Sequence, residues 1–151
     1  MNRPGDQLGE IRPFEMTVDA MFRRAVAHWP KRPFVMADGT QISYAEMEAY
    51  VEQAGRALLA LGVAPGDRVA LWMSNIWEWI VVQLAVTRMG AVLTPINTRL
   101  RVDDMGHILR DCGATVLFTQ GASKEFSYVE VMGEILTALG PDTSLRHVVV
   151  A

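Results

Sequence analysis

Glycines divide this sequence into segments that alternate between strand and helix patterns. Gly90, Gly113 and the Gly140-Pro141 pair each follow a stretch of helical periodicity, where glycine commonly ends a helix. Because strands joined through helices pair in parallel and bury both faces, the alternation predicts an α/β fold with a mostly parallel sheet and packed helices. The predicted strands are the short apolar runs at residues 69–73, 91–95, 115–119 and 147–150.

The start of the chain predicts an irregular segment followed by a helix. Residues 1–16 carry charges and two prolines but no continuous apolar stretch, so we expect a loosely ordered lead-in rather than a secretory signal. From a possible cap at Thr17, apolar residues recur at helical spacing as far as Pro30. Asp19 and Arg23 are one turn apart and are predicted to pair on the outer face of this helix.

A hairpin and a second helix are predicted next. The Asp38-Gly39 turn lies between two short apolar runs, a pattern typical of a tight hairpin. Ser43 and Glu46 form a capping box, in which each side chain satisfies a backbone donor at the start of a helix. An apolar stripe follows, and Gly62 ends the helix.

Composition excludes several classes of partner. The chain has 14 basic and 17 acidic residues and a net charge of −3, so no broad positive field is available for nucleic acid or anionic lipid. The most apolar stretch, residues 76–86, is well short of the roughly 20 residues that a membrane span needs. The single cysteine, Cys112, cannot form an intramolecular disulfide, which predicts a small buried residue and a cytoplasmic location.

Two asparagines follow predicted strands, at the edge where open sheets place ligands. With Glu78 three positions later, Asn75 is better interpreted as the cap of the next helix. Asn97 lies in a predicted loop, where a turn role is favoured over a pocket role. Neither asparagine is therefore assigned to a site.

Two glycine-containing stretches resemble nucleotide loops only superficially. Residues 119–124 contain threonine, glycine, serine and lysine after a strand, but a phosphate cradle needs several glycines and this stretch has one. A surface loop is the favoured interpretation. Gly62 and Gly66 do not form the glycine pattern of a dinucleotide-binding domain, and a helix end plus a turn accounts for both.

The histidines and the paired aspartates do not predict a catalytic centre. His28, His107 and His147 lie on separate elements, and we find no partner for them at helical or hairpin spacing that would indicate a metal site or a triad. Asp103 and Asp104 open a predicted helix, where negative charge offsets the helix dipole.

The tryptophans and methionines leave two interpretations open. Trp72, Trp77 and Trp79, together with the nine methionines, either belong to an ordinary core or line an apolar groove for an acyl chain. The core is favoured, because aromatic and methionine side chains at these spacings usually pack inside.

A family resemblance is carried by several strings in register. Residues 62–71 resemble the GVxxGDRVA segment of the AMP-forming ligases, a superfamily that contains acyl-CoA synthetases, luciferases and peptide-synthetase adenylation domains. Residues 40–47 are similar to its threonine, tyrosine and glutamate signature. Asn75 and residues 84–86, 90–92, 95–97 and 108–118 follow in the family's order. The resemblance covers roughly residues 14–151, and residues 14–36 look most like fatty-acyl and medium-chain acyl-CoA ligases.

The resemblance implies the N-terminal portion of an ATP-dependent acyl-CoA synthetase. Such enzymes activate a carboxylic acid with ATP and magnesium to an acyl adenylate, release pyrophosphate, and form a thioester with CoA. The family's phosphate loop, magnesium motif, ribose-binding aspartate and catalytic lysine lie beyond residue 151, so no catalytic, cofactor-binding or metal-binding residue is assigned here. We expect residues 17–151 to be part of an AMP-binding domain, truncated before the phosphate loop, that binds no cofactor and is inactive alone.

Two other hypotheses stay open. The chain is alternatively a non-catalytic module that pairs with a complementary C-terminal fragment, or an unrelated nucleotide-binding α/β protein. The valine-rich run at residues 148–150 predicts an uncovered strand edge. We therefore expect an exposed apolar patch and a tendency to self-associate.

Overall fold

A computed structural model describes residues 17–37, 39–100, 102–122 and 126–151 of the chain. The predicted alternation is confirmed, and the ends of the four strands of the main sheet differ from the predicted ones by one residue at most. The lead-in at residues 1–16 and Asp38 of the hairpin turn lie outside the described residues. The elements are α1 (Val18–His28), β1 (Pro33–Ala37), β2 (Thr40–Ser43), α2 (Tyr44–Ala60), β3 (Arg68–Trp72), α3 (Trp77–Arg88), β4 (Val92–Pro95), α4 (Val102–Cys112), β5 (Val116–Thr119), α5 (Tyr128–Leu139) and β6 (His147–Val150).

The strands form two sheets. β1 and β2 pair antiparallel as the predicted hairpin. The other four strands pair in parallel in the order β4-β3-β5-β6. β3 and β5 are therefore central and almost wholly buried, whereas β4 and β6 are edges whose outer residues are exposed.

The core has one cluster on each face of the parallel sheet. Val69 and Leu71 of β3 point to the face covered by α1, α2 and α3, and Ala70 and Trp72 point to the face covered by α4 and α5. This alternation is the two-residue period of a strand that is buried on both sides. The largest fully buried side chains are Trp72, Met47, Leu58, Leu71, Met105, Leu109, Leu117 and Ile135.

The capping box at the start of α2 forms as predicted. The backbone N–H and the hydroxyl of Ser43 donate to Oε2 of Glu46 at 2.8 and 2.6 Å, and the backbone N–H of Glu46 donates to the Ser43 hydroxyl at 3.3 Å. Hydrogen bonds from the Ser43 side chain, and then from its backbone, lower the pKa of the Glu46 carboxyl from its ordinary value of 4.5. The box therefore favours the ionised carboxylate.

Because the pKa of Glu46 is lower in the folded chain than in the unfolded one, the stability that its charge contributes is present above about pH 4.5. That contribution is lost as the pH falls through the folded-state pKa. We expect Glu46→Gln to be less stable than the parent chain at pH 7, with a difference that shrinks towards pH 3. Urea unfolding of both proteins across this range measures it. In a Ser43→Ala background the pH dependence should weaken, and an unchanged dependence would contradict the assignment.

Arg88 joins three helices. Its guanidinium Nε donates to Oδ1 of Asp19 on α1 at 2.6 Å. Nη1 and Nη2 donate to the two carboxylate oxygens of Glu48 on α2 at 3.1 and 2.8 Å. Burial opposes the charged form of Arg88, but the hydrogen bonds to Glu48 and Asp19 outweigh it and raise the pKa of Arg88. The predicted pairing of Asp19 with Arg23 is wrong, because Asp19 lies against Arg88 instead.

Apolar side chains remain exposed on α5 and on the neighbouring edge strand. Val129, Leu136 and Val150 are about half exposed, and Val129 and Leu136 are two turns apart on one side of α5. At the opposite edge, Pro95 of β4 removes a backbone donor, a feature that discourages strand addition. β6 is built from His147 and three valines and has no such protection. Self-association through this region stays a prediction.

Candidate functional site

The carboxyl edge of the parallel sheet is the place where this topology can hold a ligand. The chain leaves β3 through α3 on one face of the sheet and leaves β5 through α5 on the other. Where neighbouring strands send the chain in opposite directions, a crevice opens outside their carboxyl ends. The loops that follow β3, β4 and β5 therefore hold the candidate residues.

A buried glutamine fills the crevice between β3 and β5. Oε1 of Gln120 accepts hydrogen bonds from the backbone N–H of Ser74 at 2.7 Å and from its hydroxyl at 2.6 Å. Gln120 is 6% exposed, so a polar side chain is buried here with its oxygen satisfied. The contact fixes the loop after β3 to the end of β5. The sequence signal for this contact was a polar residue directly after an apolar strand. The interpretation of residues 119–124 as a surface loop did not predict that Gln120 is buried.

A polar cavity of about 440 Å³ lies beside β4. We call it the polar crevice, and Ser74, Asn75, Asn97, Thr98 and Arg99 are among the residues that line it. Oδ1 of Asn97 accepts a hydrogen bond from the backbone N–H of Arg99 at 3.0 Å. This is the turn role predicted for Asn97, and the same turn brings Thr98 and Arg99 to the crevice.

Asn75 does not cap α3, so that prediction is wrong. The cap position is Ile76, which makes no side-chain hydrogen bond to the helix. The backbone N–H of Ile76 donates to the carbonyl of Ser74 at 2.8 Å, because the contact of Ser74 with Gln120 sets the path of this loop. Asn75 is exposed and lines the polar crevice instead.

A mostly apolar cavity of about 270 Å³ lies between the hairpin and the start of α3. We call it the apolar cavity, and Val35, Ile76, Trp77, Trp79 and Ile80 are among its lining residues. The three tryptophans do not form one groove, because Trp72 packs on the opposite face of the sheet against Phe126 and Tyr128. The core interpretation is confirmed for Trp72, whereas Trp77 and Trp79 are partly buried at the cavity wall.

The described part of the loop after β5 has no phosphate cradle. Thr119 and Gln120 are buried, and Ala122 forms an isolated bridge with Ser127. The φ of Gly121 is not positive, and an added Cβ there would meet Val150 at an ordinary contact distance of 3.7 Å. Ser123 and Lys124 lie outside the described residues.

The remaining polar candidates are at the surface. Nδ1 of His28 lies 2.9 Å from the carbonyl of Arg24. Nε2 of His107 lies 3.2 Å from Oδ2 of Asp111, so the prediction that His107 has no partner at helical spacing is wrong. Both side chains of this pair are about 70% exposed. Such an exposed pair contributes little to stability.

Asp103 and Asp104 lie in the first turn of α4, as predicted. Cys112, the last residue of that helix, is partly rather than fully buried, which corrects the prediction for it. Across the described residues no group of three or more histidine, cysteine, aspartate or glutamate side chains is placed to hold a metal ion. No helix within these ranges is long and apolar enough to cross a membrane.

The GVxxGDRVA string performs a structural task in this chain. Oδ2 of Asp67 accepts from the backbone N–H of Ala64 at 2.9 Å and closes the turn. Nε of Arg68 donates to the carbonyl of Cys112 at 2.9 Å, so the arginine binds the negative end of α4. Gly113 has a φ of 61°, and a Cβ there would lie 3.0 Å from Nη2 of Arg68. Only glycine accommodates both features without strain.

The polar crevice is suited to binding a ligand rather than to catalysing a reaction. The polar crevice offers one positive charge with amide and hydroxyl donors. Among the described residues it holds no carboxylate, histidine or cysteine that would act as a base or a nucleophile. The absence of catalytic residues from this chain remains a prediction from the sequence.

Comparisons with known proteins agree on one family. The model of the family described as "AMP-binding enzyme" matches residues 22–150. A Mycobacterium tuberculosis CoA ligase, named for a propanoyl group that bears a methyl-dioxo-octahydroindenyl ring, is 40% identical over 105 residues, which are 70% of this chain and 21% of that protein. The mitochondrial medium-chain acyl-CoA ligase of Danio rerio is 32% identical over 114 residues, which are 73% of this chain and 19% of the relative.

Solved structures agree with these relatives. A fatty acyl CoA synthetase of Mycobacterium tuberculosis superposes with a TM-score of 0.79 at 30% identity, covering 88% of this chain and 26% of that one. The chain spans about a fifth of the length of the two curated relatives named above.

Proposed function

The chain belongs to the AMP-binding enzyme family, and from this premise we propose that it is the N-terminal portion of an ATP-dependent acyl-CoA synthetase. The proposed parent reaction joins a carboxylic acid, of the fatty-acid type, to AMP with release of pyrophosphate and then transfers the acyl group to CoA. One observation carries the proposal: the family match runs through residues 22–150, while the chain spans only about a fifth of its curated relatives. We place the parent enzyme in the cytoplasm, because the single cysteine of the present chain suits a reducing compartment.

In this proposal the chain contributes a scaffold and the rest of the enzyme contributes the chemistry. The described residues offer magnesium no site built from their own side chains, because no group of three or more histidine, cysteine, aspartate or glutamate residues among them is placed to hold a metal ion. They do not fit a triphosphate either, because the loop after β5 lacks a glycine-rich cradle in its described part. Without these groups, charge that develops during adenylation has no stabiliser. We therefore expect negligible adenylation by the chain alone.

A second candidate is a non-catalytic module that pairs with a complementary fragment. The apolar side chains exposed on α5 and β6 favour it, because exposed apolar surface commonly marks a contact with another polypeptide. A partner that covers this surface and also restores activity would support the ligase proposal. A partner that binds without activity would support the module.

Pyrophosphate release tests the proposal. We would assay ATP, magnesium and a panel of fatty acids with this chain alone, and with a fragment of a related acyl-CoA synthetase that lacks its own N-terminal fifth. We expect no release above background from either piece and release from the mixture. Adding CoA should convert the adenylate to a thioester.

The matched control is the same C-terminal fragment with its catalytic lysine replaced, which should stay silent in the mixture. Release by this chain alone would contradict the proposal and would require an ATP site among its own residues. A stable complex that stays silent in the mixture would favour the non-catalytic module.

A further inference from the structure

A groove between α2 and α3 is lined by aromatic side chains. Tyr50 of α2, Trp77 of α3 and Phe118 of β5 are among its lining residues, and its volume is about 320 Å³. We call it the aromatic groove. Among the described residues it shares no lining residue with the polar crevice. It is therefore a separate cavity, and its size is within the range of roughly 300 to 1,000 Å³ that small-molecule sites occupy.

Two of the rings form a corner of the aromatic groove. The ring centroids of Tyr50 and Trp77 are 4.9 Å apart, and the ring planes are inclined at 51°. Tyr50 is 42% exposed, so a ligand can reach its ring, whereas Phe118 is buried and closes the floor of the groove. The face of an aromatic ring carries partial negative charge and attracts a cation that lies within about 6 Å of the ring centre.

The rings of this corner are not covered by a cation of the described chain. The contact of this kind that the structure contains joins Arg32 to Trp29, at 5.6 Å. Arg56 follows the groove residues on α2, but it pairs with Glu52 at 3.9 Å, and both of them line a different groove beside α1. The faces of Tyr50 and Trp77 are therefore available to a cation from outside the chain.

The charges around the aromatic groove are negative. Glu78 is the one acidic side chain among its described lining residues, and within the described ranges it forms no ion pair. Glu46 lies one turn before Tyr50 on the same side of α2 and adds a second negative charge. Arg88, at the far end of α3, is bound to carboxylates of α1 and α2. The groove therefore attracts positive rather than negative ligands.

We propose that the aromatic groove binds one small organic cation that carries a quaternary ammonium group. The cation lies against the faces of Tyr50 and Trp77, and Glu78 supplies the opposite charge. A quaternary ammonium is favoured over a primary amine because it has no N–H group that requires an acceptor, and its recognition by aromatic side chains is well established. A free cation is favoured over a lipid headgroup, because the volume corresponds to one small molecule. This binding is independent of adenylation.

Titration of the whole chain with choline, followed by NMR of the tryptophan indole N–H signals, tests the site. 3,3-Dimethyl-1-butanol has the shape of choline without the charge, and ethanolamine has the charge on a primary amine. We expect choline to saturate one site, to shift the Trp77 signal, and to bind at least about fivefold more tightly than either control, which is the size of a cation–ring attraction at a partly buried site.

Variants separate the rings from the charge. Glu78→Gln should weaken choline binding about fivefold and leave the binding of dimethylbutanol unchanged. Trp77→Leu should weaken choline binding about tenfold, whereas Tyr50→Phe keeps a ring and should bind within about twofold of the parent chain. The matched control is Trp29→Leu, which removes the indole that Arg32 contacts and should bind like the parent chain.

Circular dichroism checks that each variant is folded. If Trp77→Leu unfolds, Tyr50→Leu at its exposed position tests the ring corner instead. Absence of choline binding, or equal affinity for choline and dimethylbutanol, would overturn the proposal. Equal affinity for ethanolamine would assign the binding to Glu78 alone and remove the role of the rings. Binding to phosphatidylcholine vesicles without binding of free choline would replace the proposal with a membrane surface. None of these outcomes depends on the pyrophosphate assay.

Discussion

Replacement of Trp72 by alanine is expected to lower the free energy of unfolding by about 3 to 5 kcal/mol, the range for large-to-small changes in a core. Trp72 is fully buried on β3. Its ring packs edge-on against Tyr128 at 4.8 Å and Phe126 at 5.9 Å between centroids. Alanine would leave a cavity and remove both ring contacts. Urea unfolding monitored by circular dichroism measures the change.

Trp72→Phe should behave very differently. The indole Nε1 is buried with no hydrogen-bond partner, and an unsatisfied buried donor costs about 1 to 3 kcal/mol. Phenylalanine keeps an aromatic ring and removes that donor, so we expect a loss below about 1.5 kcal/mol despite the smaller volume. Trp29→Ala, at a partly buried position after α1, is the control for loss of an indole outside the core. Equal losses for Trp72→Phe and Trp72→Ala would mean that the indole N–H has a partner.

Arg88→Met is expected to destabilise the chain by about 2 kcal/mol. The substitution leaves the carboxylates of Asp19 and Glu48 partly buried without their shared cation, and breaking a fully buried pair costs about 3 to 5 kcal/mol. The smaller figure reflects water, since about a fifth of each of these three side chains is exposed. The free energy of unfolding from urea titration gives the result.

Removal of all three charges should recover most of this loss. In the variant with Arg88→Met, Asp19→Asn and Glu48→Gln no uncompensated charge remains, and amide side chains are less costly to bury. Arg23→Met, which changes another arginine near the same surface, is the matched control and should alter stability by less than about 0.5 kcal/mol. If Arg88→Met were no worse than this control, the guanidinium would not hold the helices together.

Local signals in the sequence were sufficient for the individual elements. The capping box of Ser43 and Glu46 predicted the start of α2, and the same spacing is present in Ser127 and Glu130 at the start of α5. Both signals lie within four residues, so no tertiary contact is needed to interpret them. The pair of His107 and Asp111 is equally local and was readable at the i,i+4 spacing.

Contacts between residues far apart in the sequence account for the features that were not predicted. Asp19 binds Arg88, which is 69 positions away, rather than Arg23. Asn75 failed as a cap because Ser74 is held by Gln120, 46 positions further on. The order of the strands was not predicted for the same reason, since alternation requires parallel pairing but does not place β5 beside β3.

The candidate site was only partly predictable. The turn at Asn97 follows from asparagine's local preferences. Arg99 was not singled out, because its importance depends on a cavity that the β3 loop, the β4 loop and α3 form together. Trp77 and Trp79 reach the apolar cavity only because the hairpin lies over the start of α3.

The hydrogen bond from Arg68 to the last turn of α4 limits what the GVxxGDRVA string indicates about function. The arginine and the glycine at position 113 attach the end of α4 to the start of β3, and the aspartate before the arginine closes the turn that leads into that strand. A sequence search that uses this string therefore finds chains that share this local structure, whether or not they are catalytically active. Inactive relatives would be retrieved as readily as working enzymes, and only residues elsewhere would tell the two apart.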